Sequence, residues 1–370
     1  MLTRLGAFVL LAATTVAVPA AHAAAVPHCH GHAATIVGTP GRDHLTGTPG
    51  DDVIVAGRGD DRVDAGDGDD IVCGGDGADT LRGGPGDDRL YGQRDARHSD
   101  RGGTYFVSDV LGGGPGDDRL AVGSDDRWVE YGSYGVVDFR RAQTGVTVDL
   151  AAGTATGEGS DTIVLPPRPC PADGCYPLAV EGSAHDDVIS GTSAADYLVG
   201  NDGDDRVVGL GGADDLVADR ESGRHTSGDD TVLGGPGRDF LQAFAGTDDL
   251  EGGPGDDTVW QTGGGPSEVS GGDGDDEVVV WFPAEPGFVL DGGPGDDTGQ
   301  VLGPERPGAG GRPLDATFDG RAETVHSGDD TFWGRVLGVE DLYLGAAVTW
   351  TCENRAGIHV QGCTRPSVVE

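Results

Sequence analysis

The sequence predicts an all-β solenoid, a coil of stacked parallel strands with loop insertions and a C-terminal cap. Three observations carry that expectation. From Gly38 to Tyr91 the chain reads in steps of nine as six units with no slip of register. In every unit the fourth residue is Gly and the sixth is Asp, which gives the column Asp43, Asp52, Asp61, Asp70, Asp79 and Asp88. The eighth residue is aliphatic throughout: Leu45, Ile54, Val63, Val72, Leu81 and Leu90. A fixed short period marks supersecondary units that bury an apolar face only by stacking, at least about three at a time.

Each unit has two halves with different physics. The first half carries Gly where the backbone needs positive φ or a close approach that a side chain would block. The second is a three-residue strand whose middle side chain points inward while its neighbours point out. Two units make one turn of the coil. One aliphatic residue in nine buries too little apolar surface to offset the backbone entropy of ordering the other eight. Stacking also brings each Asp beside the Asp two units further on, and facing carboxylates repel unless a cation lies between them. Hard oxygen donors, loop carbonyls included, suit Ca²⁺ with its six to eight oxygen ligands, whereas Mg²⁺ demands stricter geometry and keeps its water.

The units resemble the Gly-Gly-x-Gly-x-Asp-x-U-x repeats of the RTX, or haemolysin-type, calcium-binding proteins. That resemblance implies a parallel β-roll with Ca²⁺ held between successive turns by the sixth-position carboxylates and by loop carbonyls. Sites between alternate units would pair Asp43 with Asp61, Asp52 with Asp70, Asp61 with Asp79 and Asp70 with Asp88. Each of the two later contiguous blocks would add at most two more.

Taken in order, residues 1–23 read as a secretory signal peptide: Arg4 gives the basic start, Ala7 to Val18 the apolar run, and Ala21-His22-Ala23 the cleavage site. Family members exported by the type I route usually lack such a leader, so the general export pathway is expected instead. Residues 24–37 form an N-terminal cap in which His28, Cys29, His30 and His32 could hold a transition metal, although oxidation of an exported Cys29 is the competing fate. Residues 38–127 are calcium-binding roll, broken from Gly92 to Gly112 by a polar surface loop and resumed by one unit containing Asp118. Residues 128–181 lose the period and read as one or two larger spacer coils with the same strand direction.

The period returns over residues 182–300. Its first four units place Asp187, Asp196, Asp205 and Asp214 at position six above the core residues Ile189, Leu198, Val207 and Leu216. His185 and Ala194 interrupt the Gly column there, which puts the first two calcium sites of this block in doubt. After a short insert come Asp230, Asp239, Asp248 and Asp257, then isolated units at Asp276 and Asp297. The last of these has Gly299 where the aliphatic belongs, so the roll is expected to fray. Residues 301–370 read as a Gly/Pro linker and a cap.

Six cysteines in an exported chain suggest three disulfides among fifteen possible pairings. Short separations favour Cys170–Cys175 and Cys352–Cys363, which leaves Cys29–Cys73. No C-x-x-C pair supports a zinc site.

A formal net charge of −40 excludes nucleic acid as a partner, because phosphate binding needs basic patches. After the leader, no stretch is apolar over a length that spans a bilayer. Lysine is absent, which removes Walker-type and Schiff-base chemistry. Asp-Asp pairs recur with the nonapeptide period and so read as ligands or solvated loop residues, not as glycosidase carboxylates. The expectation is a non-enzymatic, secreted calcium-binding protein acting as a structural or interaction module. The alternatives are a cell-wall or polysaccharide-binding adhesin, with Trp128, Trp260, Trp281, Trp333 and Trp350 as stacking platforms, and a β-helix lyase or epimerase.

Overall fold

The structure is a computed structural model. It describes residues 26–94, 96–100, 103–107, 109–122, 135–165, 178–220, 228–244, 246–263, 265, 267–281, 287–302, 314–319, 324–327, 333–337, 339, 341–344, 348–354, 359–361 and 363–368. The leader at 1–23, the Cys170/Cys175 loop and the linker at 303–313 lie outside these residues, as do the side chains of Cys352 and Cys363.

Among the described residues there is no helix, and the chain winds as a two-sheet coil. Successive nonapeptides contribute strands to opposite sheets, so residues eighteen apart become neighbours. One sheet has 14 strands, running from His44–Thr46 through Arg62–Asp64 and Thr80–Arg82 to Asp341–Leu344 and His359–Gln361. The other begins Ile36–Val37, Val53–Arg58, Ile71–Asp76, Arg89–Arg94, Arg119–Ala121. Its register aligns Ile54, Val72 and Leu90, while the first sheet aligns Leu45, Val63, Leu81 and Leu111. These columns face each other and fuse into a single apolar core that runs the length of the coil. The eighth-position side chains are its content, and from Ile54 to Leu90 they are fully buried.

Insertions leave the stack without breaking it. The polar loop expected after Gly92 includes an antiparallel hairpin, Ala96–Asp100 with Gly103–Val107, beyond which Val110–Gly112 pairs directly with Thr80–Arg82. The spacer departs from the expected uniform strand direction. Thr154–Thr156 runs antiparallel to both Thr147–Asp149 and Ser160–Val164, because a turn at Leu150–Gly153 and a second around Gly157 each reverse the chain inside the sheet. On either side of this reversal, Arg119–Ala121 and Val188–Ser190 pair in parallel with it and the coil continues.

The expected fraying at Gly299 does not occur. Gly299 aligns with Val278 on one side and Leu342 on the other. A methyl group there would meet Val339, Leu290 and Leu342 at 3.1–3.3 Å, so neighbouring side chains already fill the space an aliphatic would take. The C-terminal strands extend both sheets: Leu314–Asp319 pairs with Val348–Asn354, and His359–Gln361 with Asp341–Leu344. Alternating β-branched and aromatic residues such as Val348-Thr-Trp-Thr351 favour further strand.

At the other end, the hairpin His28–Cys29/His32–Ala33 turns through His30 (φ 46°) and Gly31 (φ 90°), the positive φ pair that a two-residue hairpin requires. A disulfide joins Cys29 to Cys73 with a Cα–Cα distance of 5.8 Å. His30 stacks on Tyr91 with ring centroids 3.7 Å apart. Cys73, on the outer face of its strand, is buried by this hairpin.

Candidate metal centre

The sixth-position aspartates form two stacked columns, one along each edge of the coil. Those from Asp52 onward are buried. Each column is built by a repeated pair of hydrogen bonds. The Asp carbonyl accepts the amide that follows the Asp of the next turn, as in Arg89 N–H to Asp70 O at 2.8 Å. The Asp amide donates to Oδ1 of the next turn's Asp: Asp43 to Asp61 (2.7 Å), Asp52 to Asp70 (2.7 Å), Asp61 to Asp79 (2.8 Å) and Asp70 to Asp88 (2.8 Å). The same bond recurs from Asp187 to Asp205, Asp196 to Asp214, Asp205 to Asp230, Asp214 to Asp239, Asp230 to Asp248, Asp239 to Asp257 and Asp257 to Asp276. One carboxylate oxygen is thus a structural acceptor.

The other oxygen has a different fate. Oδ2 is buried without a hydrogen-bond partner in Asp61, Asp70, Asp88, Asp118, Asp205, Asp214, Asp239, Asp257 and Asp276. Burying a carboxylate oxygen unpaired is costly. In the units that begin with Gly, this oxygen turns toward position one, where a side chain would collide with it; Asp61 and Asp70 have Ala56 and Ala65 at that position. At Gly83 a Cβ would overlap Asp88 Oδ2 and stand 2.7 Å from the Gly113 carbonyl; at Gly209 it would overlap Asp214 Oδ2 and stand 2.7 Å from the Gly234 carbonyl. A carboxylate oxygen and the next turn's carbonyl therefore converge on one small space. The second glycine of the loop is required for a separate reason: Gly75 has φ +123°, and a Cβ there would strike the Gly57 carbonyl.

Five aspartates differ. Asp43 Oδ2 accepts the Thr39 amide (2.5 Å), Asp52 Oδ2 that of Thr48 (2.7 Å), Asp187 Oδ2 that of Ser183 (2.5 Å) and Asp196 Oδ2 that of Thr192 (2.5 Å). Asp248 Oδ2 accepts Gln261 Nε2 at 2.7 Å.

Burial raises carboxylates on both sides of this division, Asp248 to about 7, Asp196 to about 6 and Asp187 above its ordinary value. Burial, opposed by the amide of Asp70 and reinforced by the charges of Asp118 and Asp70, pushes Asp88 up to about 8. Burial likewise takes Asp205 to about 9, Asp118 and Asp214 to about 7, and Asp70, Asp239, Asp257 and Asp276 to about 6. For Asp52 burial also acts upward, but bonds from Thr48 and Thr35 outweigh it and hold the group below its ordinary range.

Two column members, Asp109 and Asp161, are not marked by the nine-residue spacing. Asp109 Oδ1 accepts the Asp79 amide and Asp161 Oδ1 the Asp118 amide, across gaps of 30 and 43 residues. Asp297 Oδ1 takes the Asp276 amide, so it continues the column despite Gly299. The local pattern Asp-x-aliphatic, in Asp109-Val-Leu111 and Asp161-Thr-Ile163, is the signal that could have found the first two. Asp219, in the insert before Asp230, is buried against the Asp230 carboxyl, and no repeat position marks it.

The donor set selects the kind of ion. Among the described residues no three His, Cys, Asp or Glu side chains gather as a ligand group. An ion between turns would therefore take carboxylate oxygens singly and complete its shell with main-chain carbonyls and water. Such an all-oxygen set suits Ca²⁺ and is poor for Zn²⁺ or Cu²⁺. Of the two fates open to Cys29, the structure has the disulfide, which leaves His28, His30 and His32 without a thiol to share a transition metal. Of the tryptophans, Trp260 packs edge-on against Phe240 with centroids 5.2 Å apart; the side chains of Trp128, Trp333 and Trp350 lie outside the described residues. No helix among the described residues is long and apolar enough to cross a membrane.

Four segments, residues 37–72, 73–96, 181–216 and 226–259, match the family of the RTX calcium-binding nonapeptide repeat. No curated protein matches the chain. The nonapeptides of these four segments match the RTX repeat and are wound here as a parallel β-roll.

Proposed function

We propose that this RTX-repeat chain is an exported protein whose roll folds around Ca²⁺ and serves outside the cell as a structural or interaction module, without catalysis. The observation that carries the reading is the row of buried, unpartnered Oδ2 atoms, which in Asp88, Asp205, Asp214, Asp239 and Asp257 lie beside a carbonyl of the next turn. Asp61, Asp70, Asp88, Asp118, Asp205, Asp214, Asp239, Asp257 and Asp276 are the aspartates that would hold the ions. Bound calcium supplies the positive charge that lets stacked carboxylates stay ionised in a buried column. The residues themselves fix turn spacing through Oδ1 and present Oδ2 to the ion. Export is supported by the leader-like residues 1–23 and by the disulfide, a bond that persists in oxidising compartments.

Circular dichroism at neutral pH tests this directly. The chelated protein is expected to have lost most of its β signal, and millimolar Ca²⁺ to restore it while equal Mg²⁺ does not. Affinity per site is expected at roughly 10⁻⁴–10⁻³ M, the range of extracellular modules. A β-rich spectrum indifferent to chelator would refute calcium-coupled folding.

A further inference from the structure

We infer that the residue at position two of a nonapeptide decides whether that unit's Oδ2 is offered to calcium, and that among the described residues two complete turns, 38–55 and 182–199, withhold it. The inference rests on the calcium reading above and departs from the assignment of every sixth-position Asp as a ligand.

Position two contributes one amide, and the structure shows that amide with two alternative acceptors. Where φ is positive it donates across to the position-one carbonyl of the next turn. Gly66 (φ +115°) donates to Gly83 O at 3.0 Å, Gly84 (+115°) to Gly113 O at 2.8 Å and Asn201 (+88°) to Ala218 O at 2.8 Å. Gly235 (+100°) donates to Gly252 O at 2.9 Å and Gly272 (+114°) to Gly292 O at 3.1 Å. In these five units the aspartates are Asp70, Asp88, Asp205, Asp239 and Asp276, and each has a buried, unpartnered Oδ2. Gly57, Gly114, Leu210 and Gly253 also have positive φ, and their units carry unpartnered Oδ2 on Asp61, Asp118, Asp214 and Asp257.

At the described positions two that are Thr or Ser, φ is not positive and the amide turns back onto its own unit's aspartate. This holds for Thr39, Thr48, Ser183 and Thr192. Three of the hydroxyls reinforce the closure: Thr39 Oγ1 on Asp43, Ser183 Oγ on Asp187 and Thr192 Oγ1 on Asp196. Such side chains favour local turns of this kind. An N–H donor then occupies the Oδ2 that would otherwise meet a cation, although Asp196 keeps its Oδ1 buried without a hydrogen-bond partner. A β-branched residue also resists the left-handed conformation that would free it. Asn201 and Leu210 show the converse. They are not glycine, yet they adopt positive φ and keep their units open, a strained conformation retained at the candidate site.

The four closed units fall in two consecutive pairs, and a pair is one turn. Each opens a block of repeats, so each block starts on a turn completed by the protein's own donors.

Native mass spectrometry of the full exported chain at saturating Ca²⁺, with circular dichroism to confirm folding, tests the inference by counting ions. Thr48→Gly should return the amide to the Ala65 carbonyl, free Asp52 and raise the count by one. Asn201→Thr should close Asp205 and lower it by one. A wild-type chain that folds with no bound calcium would refute the calcium reading itself. A wild-type chain that binds calcium while Thr48→Gly leaves the count unchanged would refute the position-two rule alone. Should Asn201→Thr not fold, the Thr48→Gly count decides.

Discussion

The amide of Asp70 donates to Oδ1 of Asp88 at 2.8 Å, while Asp88 Oδ2 is buried with no partner. One side chain thus performs two separable tasks. Its first oxygen sets the spacing between turns, and its second is open to a cation.

Asp88→Asn separates them. The amide oxygen can keep the bond from Asp70, and the buried charge disappears. The metal-free variant is expected to be more stable than wild type by about 1–3 kcal/mol, the cost of an unsatisfied buried group, and to gain less on adding calcium. Urea titrations with chelator and with Ca²⁺ measure both changes. An Asp88→Asn chain that gained as much from calcium as wild type would remove Oδ2 from the site.

The raised carboxylates fix a pH dependence for the metal-free chain. Asp70, Asp88 and Asp205 are shifted by burial from an ordinary 3.8 to about 6, 8 and 9. The folded state therefore holds protons that the unfolded chain releases, and stability falls as pH rises. Their contribution is fully present below about 4 and is lost through the interval from 6 to 9. Asp52, held low by its bonds, contributes in the opposite sense, losing stability on acidification. In chelator, β signal should grow on acidification from pH 8 to pH 5. With calcium it should be nearly flat over that range, and binding should release protons.

Gly75→Ala tests the loop. Positive φ and contact with the Gly57 carbonyl both oppose a methyl group there. A loss of about 1–3 kcal/mol is expected, visible in calcium as a lower urea midpoint.

The Cys29–Cys73 bond closes a separation of 44 residues. Loop entropy puts its removal at about 4 kcal/mol. Cys29→Ser with Cys73→Ser should open the first turns, read as faster amide exchange over residues 36–58, with later turns little changed. Uniform loosening of the whole coil would contradict local capping by the hairpin.

Much of this molecule was legible in its sequence, because the period carries the fold. Gly at position four, Asp at six and an aliphatic at eight repeat in steps of nine, and two such steps bring like residues to neighbouring turns; Ile54, Val72 and Leu90 align as that spacing requires. The sequence also determined the donor chemistry, since Asp and carbonyl oxygens are all the loops offer. Tertiary structure decided what spacing along the chain could not express. Asp109 and Asp161 rejoin the columns after insertions because strand pairing, not residue count, sets the register. Gly299 is tolerated because Val339 and its neighbours reach the empty core position. Thr48 and Gly66 occupy the same position in their units, yet their amides go to different acceptors, Asp52 in one case and the next turn's Gly83 carbonyl in the other. That choice depends on one backbone angle and on an acceptor a full turn away, so it exists only once the turns have stacked.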